Sequence, residues 1–363
     1  MVFCKLEKDD WSYKVKGIRL PTVSEPARFG EKIYFSVSYE VKDSHKTRII
    51  EIDLNLLQDK TILEMRCLAN GRLLVDHDKI FAVSAEGTLS CINAKNNYVI
   101  WERSDITHAN IALNTNAAIF QNSIIVSDSY GDGDKYVYCI DELSQRTKWY
   151  FNCKSACVSD FHIENNRIYF GTETGVYCIY LDTGDVLWEY ERALFTKKVE
   201  CFSDNELAVM GADSIVILEK STGKRLYELD VSATYIEVMD KHIFTPLRSQ
   251  SLYKMFVRNR DGGLTCYHYT RDMGLEKRWY FNPKDTVAGG FYLFEGKVLC
   301  SAGSETGKVN NVHLLDADTG TELACQKTKN FIKYILQDGT KFFLFSDKGQ
   351  IELSRLIRYT EVQ

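Results

Sequence analysis

Apolar and polar residues alternate in short runs along the whole chain, and tight turns separate the runs. The stretch at 175–191, GVYCIYLDTGDVLWEYE, shows the pattern once: an apolar run, the turn Asp-Thr-Gly, and a second run that contains Trp188. Period-two alternation is typical of β-strands, and Thr-Gly supplies the positive φ angle that a tight hairpin requires. The stretch therefore predicts a β-hairpin.

This hairpin pattern recurs. A cysteine stands ten residues before a tryptophan in Cys91–Trp101, Cys139–Trp149 and Cys178–Trp188. Eight inner hairpins begin with the apolar residues Ile33, Ile80, Ile124, Ile168, Leu207, Ile243, Val298 and Phe342, at steps of 36 to 55 residues. Several short strands in a period of about 40 to 50 residues are typical of a β-propeller blade. We predict an all-β fold, a single propeller of eight four-stranded antiparallel blades, with seven blades as the alternative.

The last repeat lacks a fourth strand. Its hairpin KFFLFSDKGQIELSRL starts at Lys341, and only IRYTEVQ follows. Trp11 in DDWSYKVKG stands where Trp188 stands in its own unit, so the N-terminus can supply the missing strand and close the ring. Within one domain, 1–363, we expect 1–17 to form the outer strand of the last blade. Blades one to seven and the start of the last occupy 18–337, and 338–363 form the last blade's inner strands.

The recurring cysteines and tryptophans are predicted to be architectural. A buried thiol behaves as a small apolar group, which suits a third strand packed between blades, and tryptophan can cover a blade junction. The residues concerned are Cys91, Cys139, Cys178 and Cys266, and Trp101, Trp149, Trp188 and Trp279. For the closest cysteine pair, Cys153 and Cys157, structural thiols are favoured over a redox or metal pair.

The composition argues against nucleic-acid and membrane partners. The chain has 363 residues, a net charge of −5 and no basic patch, which argues against a nucleic-acid partner. No apolar run approaches the roughly 18 residues of a membrane helix, and the N-terminus has no signal-peptide pattern, so we expect a cytoplasmic protein without a membrane partner. The 11 cysteines include no CxxC pair, which favours reduced thiols.

The repeat resembles a known family. The pattern apolar-x-small-apolar-Asp-x-x-Thr-Gly-x-x-x-Trp is similar to the PQQ-like (quinoprotein dehydrogenase-like) propeller repeat, best at 171–191 and in degraded form at 211–229 and 303–324. The Gly-His and Trp-Asp signature of WD repeats is missing. The resemblance implies a propeller and leaves the function open, because dehydrogenases, assembly lipoproteins and cytoplasmic binding proteins share this shape.

Catalytic patterns are weak. The resemblance implies, for a quinone-dependent dehydrogenase, a calcium site, a cofactor in the channel and an adjacent cysteine pair, and the sequence has no such pair. Asp128, Asp132 and Asp134 offer hard oxygen ligands for calcium, but they lack EF-hand spacing, so a solvated loop is favoured. The seven histidines are dispersed. We expect no enzyme activity, no cofactor and no metal.

Uneven connections between second and third strands are where we expect binding. They are EVKDSHKTR, SDSYGDGDKY, RSQSLYKMFVRNRDGG and GSETGKVNN in blades one, three, six and seven, and all would open on one face. Aromatic and arginine residues anchor protein interfaces. The candidate partner-binding residues are Arg248, Tyr253, Lys254, Phe256, Arg258 and Arg260 in blade six, Asp132 and Asp134 in blade three, and His45 in blade one.

The sequence predicts a non-enzymatic protein-binding scaffold in the cytoplasm. Its partner would be a protein, and an immunity protein that neutralises a bacterial toxin is the specific candidate. The alternative is a propeller that binds or hydrolyses a small molecule at a site in the central channel.

Overall fold

The computed structural model describes twelve ranges: 2–15, 21–41, 44–65, 72–84, 87–106, 113–128, 135–192, 194–242, 251–259, 262–283, 287–303 and 310–360. Within them every regular element is a β-strand, and the strands form eight antiparallel sheets. These described ranges contain no helix with the length and apolar character needed to cross a membrane. The fold class is an eight-bladed β-propeller, as predicted, and the alternative of seven blades is wrong.

The chain divides into two compact units, Thr22–Asp230 and a second unit made of Met1–Pro21 with Val231–Gln363. Strand β1 (Val2–Lys14) comes first in the chain and belongs to the second unit. Thr22–Asp230 contains five blades. Their strands are β2 (Thr22–Val23), β3 (Ala27–Phe29), β4 (Lys32–Val41), β5 (Ser44–Asp53) and β6 (Gln58–Met65); β7 (Leu74–Asp76), β8 (Lys79–Val83), β9 (Leu89–Asn93) and β10 (Val99–Arg103); β11 (Leu113–Phe120), β12 (Ser123–Asp128), β13 (Tyr136–Asp141) and β14 (Thr147–Asn152); β15 (His162–Glu164), β16 (Arg167–Gly171), β17 (Gly175–Tyr180) and β18 (Val186–Glu191); β19 (Lys198–Cys201), β20 (Glu206–Met210), β21 (Ser214–Glu219) and β22 (Arg225–Asp230).

The second unit contains the remaining three blades. Their strands are β23 (Ala233–His242), β24 (Ser251–Asn259), β25 (Leu264–Thr270) and β26 (Gly274–Phe281); β27 (Val287–Phe294), β28 (Lys297–Ala302), β29 (Asn310–Asp316) and β30 (Glu322–Thr328); β31 (Ile332–Asp338), β32 (Lys341–Ser346) and β33 (Gln350–Thr360), to which β1 is added. Leu6 in β1 lies opposite Leu356 in β33, and both side chains are buried. The N-terminal strand is thus the fourth strand of the last blade, as predicted.

Three tryptophans lock neighbouring blades together in the same way. Each lies in a fourth strand, covers the turn glycine of the next blade and donates its indole N–H to a carbonyl of that turn. The sets are Trp149 with Gly184 and the Leu181 carbonyl (2.7 Å), Trp188 with Gly223 and Lys220 (2.8 Å), and Trp279 with Gly320 and Ala317 (3.2 Å). The glycine therefore serves two purposes, since it adopts positive φ and leaves room for the indole.

The hydrophobic core is divided among the blade junctions. Between blades four and five, for example, Cys178 and Trp188 pack with Leu207 and Val216. The four repeated cysteines lie on third strands and are fully buried, as predicted: Cys91, Cys139, Cys178 and Cys266. Burial raises the pKa of these thiols to about 12, 11, 11 and 12, respectively, so they serve as small apolar groups.

The predicted long loop of blade six is wrong. Residues 251–259 form β24, the second strand, which pairs with β23 on one side and β25 on the other. The connection from the second strand to the third is shorter than predicted, because β24 ends at Asn259 and β25 begins at Leu264. The apolar run Met255–Val257 is buried on both faces of the strand, so it shows no alternation of apolar and polar residues. The charged residues on either side of this run made the segment look like a loop.

Candidate interaction surface

Lys254 and Phe256, two of the predicted partner-binding residues, are buried inside the protein. The Lys254 ammonium forms an ion pair with Asp318 in blade seven, and only 1% of the residue is exposed. The Phe256 ring lies 5.8 Å from the Trp279 ring and 6.4 Å from the Phe291 ring and is fully buried. Neither side chain can reach a partner, so their prediction as surface anchors is wrong.

The other predicted residues fall in three places. His45 is exposed beside the tip of the β4–β5 hairpin, and Arg258 is half-buried near the end of β24. Tyr253 lies in β24, opposite Asp240 and Tyr269. Arg248, Arg260, Asp132 and Asp134 lie outside the described residues. His45 belongs to one compact unit and Arg258 to the other.

The β4–β5 hairpin that carries His45 is braced by a charged cluster. The Glu64 carboxylate accepts hydrogen bonds from Lys46 Nζ at 2.7 Å, Arg48 Nε at 2.8 Å and Tyr39 Oη at 2.9 Å. The bonds from Lys46, Arg48 and Tyr39, in that order, lower the pKa of Glu64 to about 2. These hydrogen bonds connect the outer strand β6 to both strands of the hairpin and so restrain the part of the hairpin next to His45.

The connection between blades four and five has a backbone that is restrained by more hydrogen bonds. Phe195, in the connection from β18 to β19, has a φ angle of 46° and is 56% exposed. Its N–H donates to the Glu173 carbonyl at 3.1 Å, and the Thr196 N–H donates to the Thr172 carbonyl at 3.1 Å. On the other side, the Ala212 N–H donates to the Leu194 carbonyl at 2.8 Å. Backbone hydrogen bonds to both neighbouring connections therefore restrain the main chain at 194–196, where the Phe195 side chain is exposed.

This conformation is costly for a bulky residue. A left-handed backbone at a residue other than glycine costs about 1 to 2 kcal/mol, and such strain persists only where the surroundings impose it. Here Thr196 supplies part of the restraint, because its buried side chain fills the space that a Cβ atom on Gly171 would occupy. An aromatic residue that is both exposed and strained is a candidate for binding, and the sequence pattern predicts neither property.

Hydrogen bonds join the Phe195 connection to other connections of blade four. The Glu173 N–H donates to the Ala156 carbonyl at 3.1 Å, so this residue joins the Phe195 connection to the one between β14 and β15. In that second connection, Lys154 lies 3.2 Å from Glu189, and Ser155 Oγ lies 2.7 Å from Thr174 Oγ1. We call residues 153–161, 172–174 and 194–197 the blade-four loop surface. They include the second-to-third connection of blade four, so they lie at the edge of the sheets where binding was predicted, but in a blade that was not singled out.

One group of possible metal ligands lies on the inner strands of the same blades. His162, Glu164 and Cys201 place their ligand atoms within 4.8 Å of one another. Lys220 Nζ lies 2.5 Å from Glu164 Oε2. Burial is the largest single effect and would lower the pKa of Lys220, but the hydrogen bonds and charge interactions with Glu164 and Cys201 together outweigh it and raise the pKa. The lysine ammonium thus already supplies the positive charge that a metal ion would bring.

A comparison with protein families finds the same repeat that the blades show. A PQQ-type family model, described as outer membrane protein assembly factor BamB, matches residues 61–151 and 111–323. The chain belongs to this PQQ-like family. No curated protein matches it significantly.

Several solved structures are similar to this fold at low identity. BamB from Moraxella catarrhalis is 13% identical, with a TM-score of 0.65 over 96% of this chain and 99% of that chain. A europium-containing methanol dehydrogenase is 11% identical, with a TM-score of 0.68 over 96% and 93%. A chain of a mitotic checkpoint complex is 10% identical, with a TM-score of 0.57 over 96% and 91%. At such identities the similarity shows the fold alone.

Proposed function

We propose that this PQQ-like propeller is a non-enzymatic scaffold that binds a protein partner through the blade-four loop surface, with Phe195 as the anchor. The observation that carries the proposal is an exposed aromatic side chain on a restrained backbone, since Phe195 is 56% exposed at a φ angle of 46°. Aromatic residues dominate binding energy at interfaces, and a side chain held in place before binding loses little conformational entropy on association.

The surroundings of Phe195 suit an interface. An apolar centre with a polar rim is the usual arrangement, and here the rim contains Glu173, Lys197 and the Lys154–Glu189 ion pair. Two comparisons support protein binding in general, because the family description names an assembly factor and one structural relative belongs to a multiprotein complex. The methanol dehydrogenase shares the fold at 11% identity, which leaves a catalytic role without support of its own.

We place this activity in the cytoplasm. All nine cysteines whose side chains are described are free, including the buried neighbours Cys153 and Cys157, which suits a reducing compartment. The more specific form of the proposal is an immunity protein that covers a toxin. Its support is the net charge of −5, which favours association with a positively charged partner.

Affinity capture from the native host tests this function. Phe195→Gly removes the ring and tolerates the positive φ angle, so the variant should fold and yet fail to capture the partner. Leu143→Ala is the matched control, since Leu143 is 66% exposed in the turn between β13 and β14. It should capture as much partner as the wild-type protein does.

Two results would contradict the proposal. Equal capture by both variants would exclude Phe195 as the anchor. Failure to recover any protein, combined with turnover or retention of a small molecule by the purified chain, would favour the ligand-binding or hydrolytic alternative.

A further inference from the structure

Blade seven differs from the other blades in the side chains that face each other across its third and fourth strands. His313 in β29 lies opposite Cys325 in β30, so the two side chains share one face of the sheet. The corresponding pairs are Tyr177–Glu189 in blade four and Val216–Glu228 in blade five. A nitrogen ligand beside a sulfur ligand is therefore not part of the repeat.

A β-bulge adds a third ligand to this face. The register shifts after Leu314, so that Leu315 lies opposite Glu322 and the strand accommodates one extra residue. Without the shift, Glu322 and Cys325 would point to opposite faces, because their spacing is odd. With it, Glu322 Oε2 lies 2.8 Å from His313 Nδ1. The ligand atoms of His313, Glu322 and Cys325 lie within 4.8 Å of one another.

We infer that His313, Glu322 and Cys325 form a zinc site with three protein ligands and an open fourth position. Zinc is a borderline-soft ion that accepts nitrogen, oxygen and sulfur together, and three protein ligands leave a position for water or another ligand. Tetrahedral zinc holds its ligand atoms roughly 3.3 to 3.7 Å apart, given bond lengths of about 2.0 to 2.3 Å. To hold zinc, the 2.8 Å separation of Glu322 and His313 must lengthen, and any separation near 4.8 Å must shorten by about 1 Å. The exposed side chains of Glu322 and Cys325 can achieve both changes by rotation.

The imidazole is held in place for this role. The His313 ring lies 5.3 Å from the Phe281 ring, edge to face, and the residue is only 7% exposed. Its Nε2 is buried and has no hydrogen-bond partner among the described residues, so no acceptor there fixes the tautomer. In the metal-free protein the Nδ1–H donates to the Glu322 carboxylate at 2.8 Å, and zinc at Nδ1 would replace that proton, leaving the neutral ring protonated on Nε2.

Charge distinguishes this group from the one formed by His162, Glu164 and Cys201. There the Lys220 ammonium lies 2.5 Å from Glu164. Within the part of the chain that the structure describes, the ion pair of Glu322 is with His313 alone. Among the described residues, Glu322 therefore has no ion pair with a lysine, unlike Glu164, and the two groups provide a natural comparison.

Zinc titration of the tag-free, metal-stripped full chain tests the inference, with a chromophoric chelator as competitor. The wild-type protein should bind one zinc ion per chain at this site. Cys325→Ser should weaken binding about 100-fold or more, and Glu322→Gln should weaken it about 10-fold or more. Cys201→Ser, in the other group, is the matched control and should bind zinc like the wild type.

Cobalt substitution reports the sulfur ligand directly. The wild-type protein and Cys201→Ser should show thiolate-to-cobalt charge-transfer absorption, and Cys325→Ser should not. Thermal melting of the metal-free variants verifies folding, which the exposed positions of Glu322 and Cys325 should preserve. The inference is wrong if the wild-type chain binds no zinc, if Cys325→Ser binds it as tightly as the wild type, or if Cys201→Ser loses it.

Discussion

The contribution to stability of the contact between tryptophan and turn glycine can be measured by substituting two glycines of blade seven. Gly320 and Gly296 have almost the same backbone, with φ angles of 71° and 70°. A Cβ atom on Gly320 would lie 2.7 Å from Cδ2 of Trp279, whereas one on Gly296 would meet nothing within 4 Å. Alanine at Gly296 therefore tests the backbone alone, and alanine at Gly320 tests the backbone together with the tryptophan contact.

The expected costs differ clearly. An alanine at positive φ costs about 1 to 2 kcal/mol, part of which is offset by about 0.4 to 1 kcal/mol from the reduced entropy of the unfolded chain. Gly296→Ala should thus lower the free energy of unfolding by about 1 kcal/mol. Gly320→Ala should add about 1 to 3 kcal/mol for overpacking against Trp279, whose ring is held by the N–H bond to the Ala317 carbonyl at 3.2 Å.

Urea denaturation followed by far-UV circular dichroism measures both costs, provided that the m value stays constant. We expect the midpoint to fall further for Gly320→Ala than for Gly296→Ala. Equal shifts would refute the argument, because they would mean that the glycine is needed only for its φ angle and that the indole moves aside freely.

Two further predictions concern pH and closure of the last blade. The lowered pKa of Glu64, about 2 against an ordinary value of 4.5, means that its charged form stabilises the fold above pH 4.5 and that this contribution is lost as the pH falls toward 2. Glu64→Gln should therefore melt below the wild type at pH 7 and together with it near pH 2, and a constant difference would contradict the assignment. Deleting residues 2–14 removes β1 and should lower the melting temperature by about 3 to 6 °C, because a loss of about 3 kcal/mol of packing at Leu6 and its neighbours shifts the melting temperature of a chain of this length by roughly 1 to 2 °C per kcal/mol. An unchanged melting temperature would show that β1 does not complete the blade.

The repeat itself was readable from the sequence because its chemistry is local. Alternating apolar residues, a Thr-Gly turn and a tryptophan at fixed spacing specify each hairpin, as in the pairing of Cys178 with Trp188. The N-terminal strand could be assigned as well, since Trp11 in DDWSYKVKG stands where Trp188 stands in its own unit. Its ring lies 5.9 Å from that of Phe343.

The candidate site was much less accessible to such reasoning. Lys254 looked like a loop residue because lysine is seldom buried, and its ion-pair partner Asp318 lies 64 positions away. Phe195 stands in a polar connection whose sequence gives no indication of a positive φ angle; that angle results from hydrogen bonds to other connections. Glu322 reaches the face of Cys325 only through a bulge, and a strict alternation would place it on the other face.

The pairing of β1 with β33 constrains the order in which the protein is made. Leu6 can pair with Leu356 only after the ribosome has added Leu356, 350 residues later. At about 5 to 20 residues per second, the first strand spends roughly 20 to 70 s without its partner. Thr22–Asp230 is continuous in sequence and can assemble during that interval, whereas the unit containing β1 must await the last residues. The nascent N-terminal strand, with an open edge, is therefore the part of the molecule most dependent on chaperones during translation.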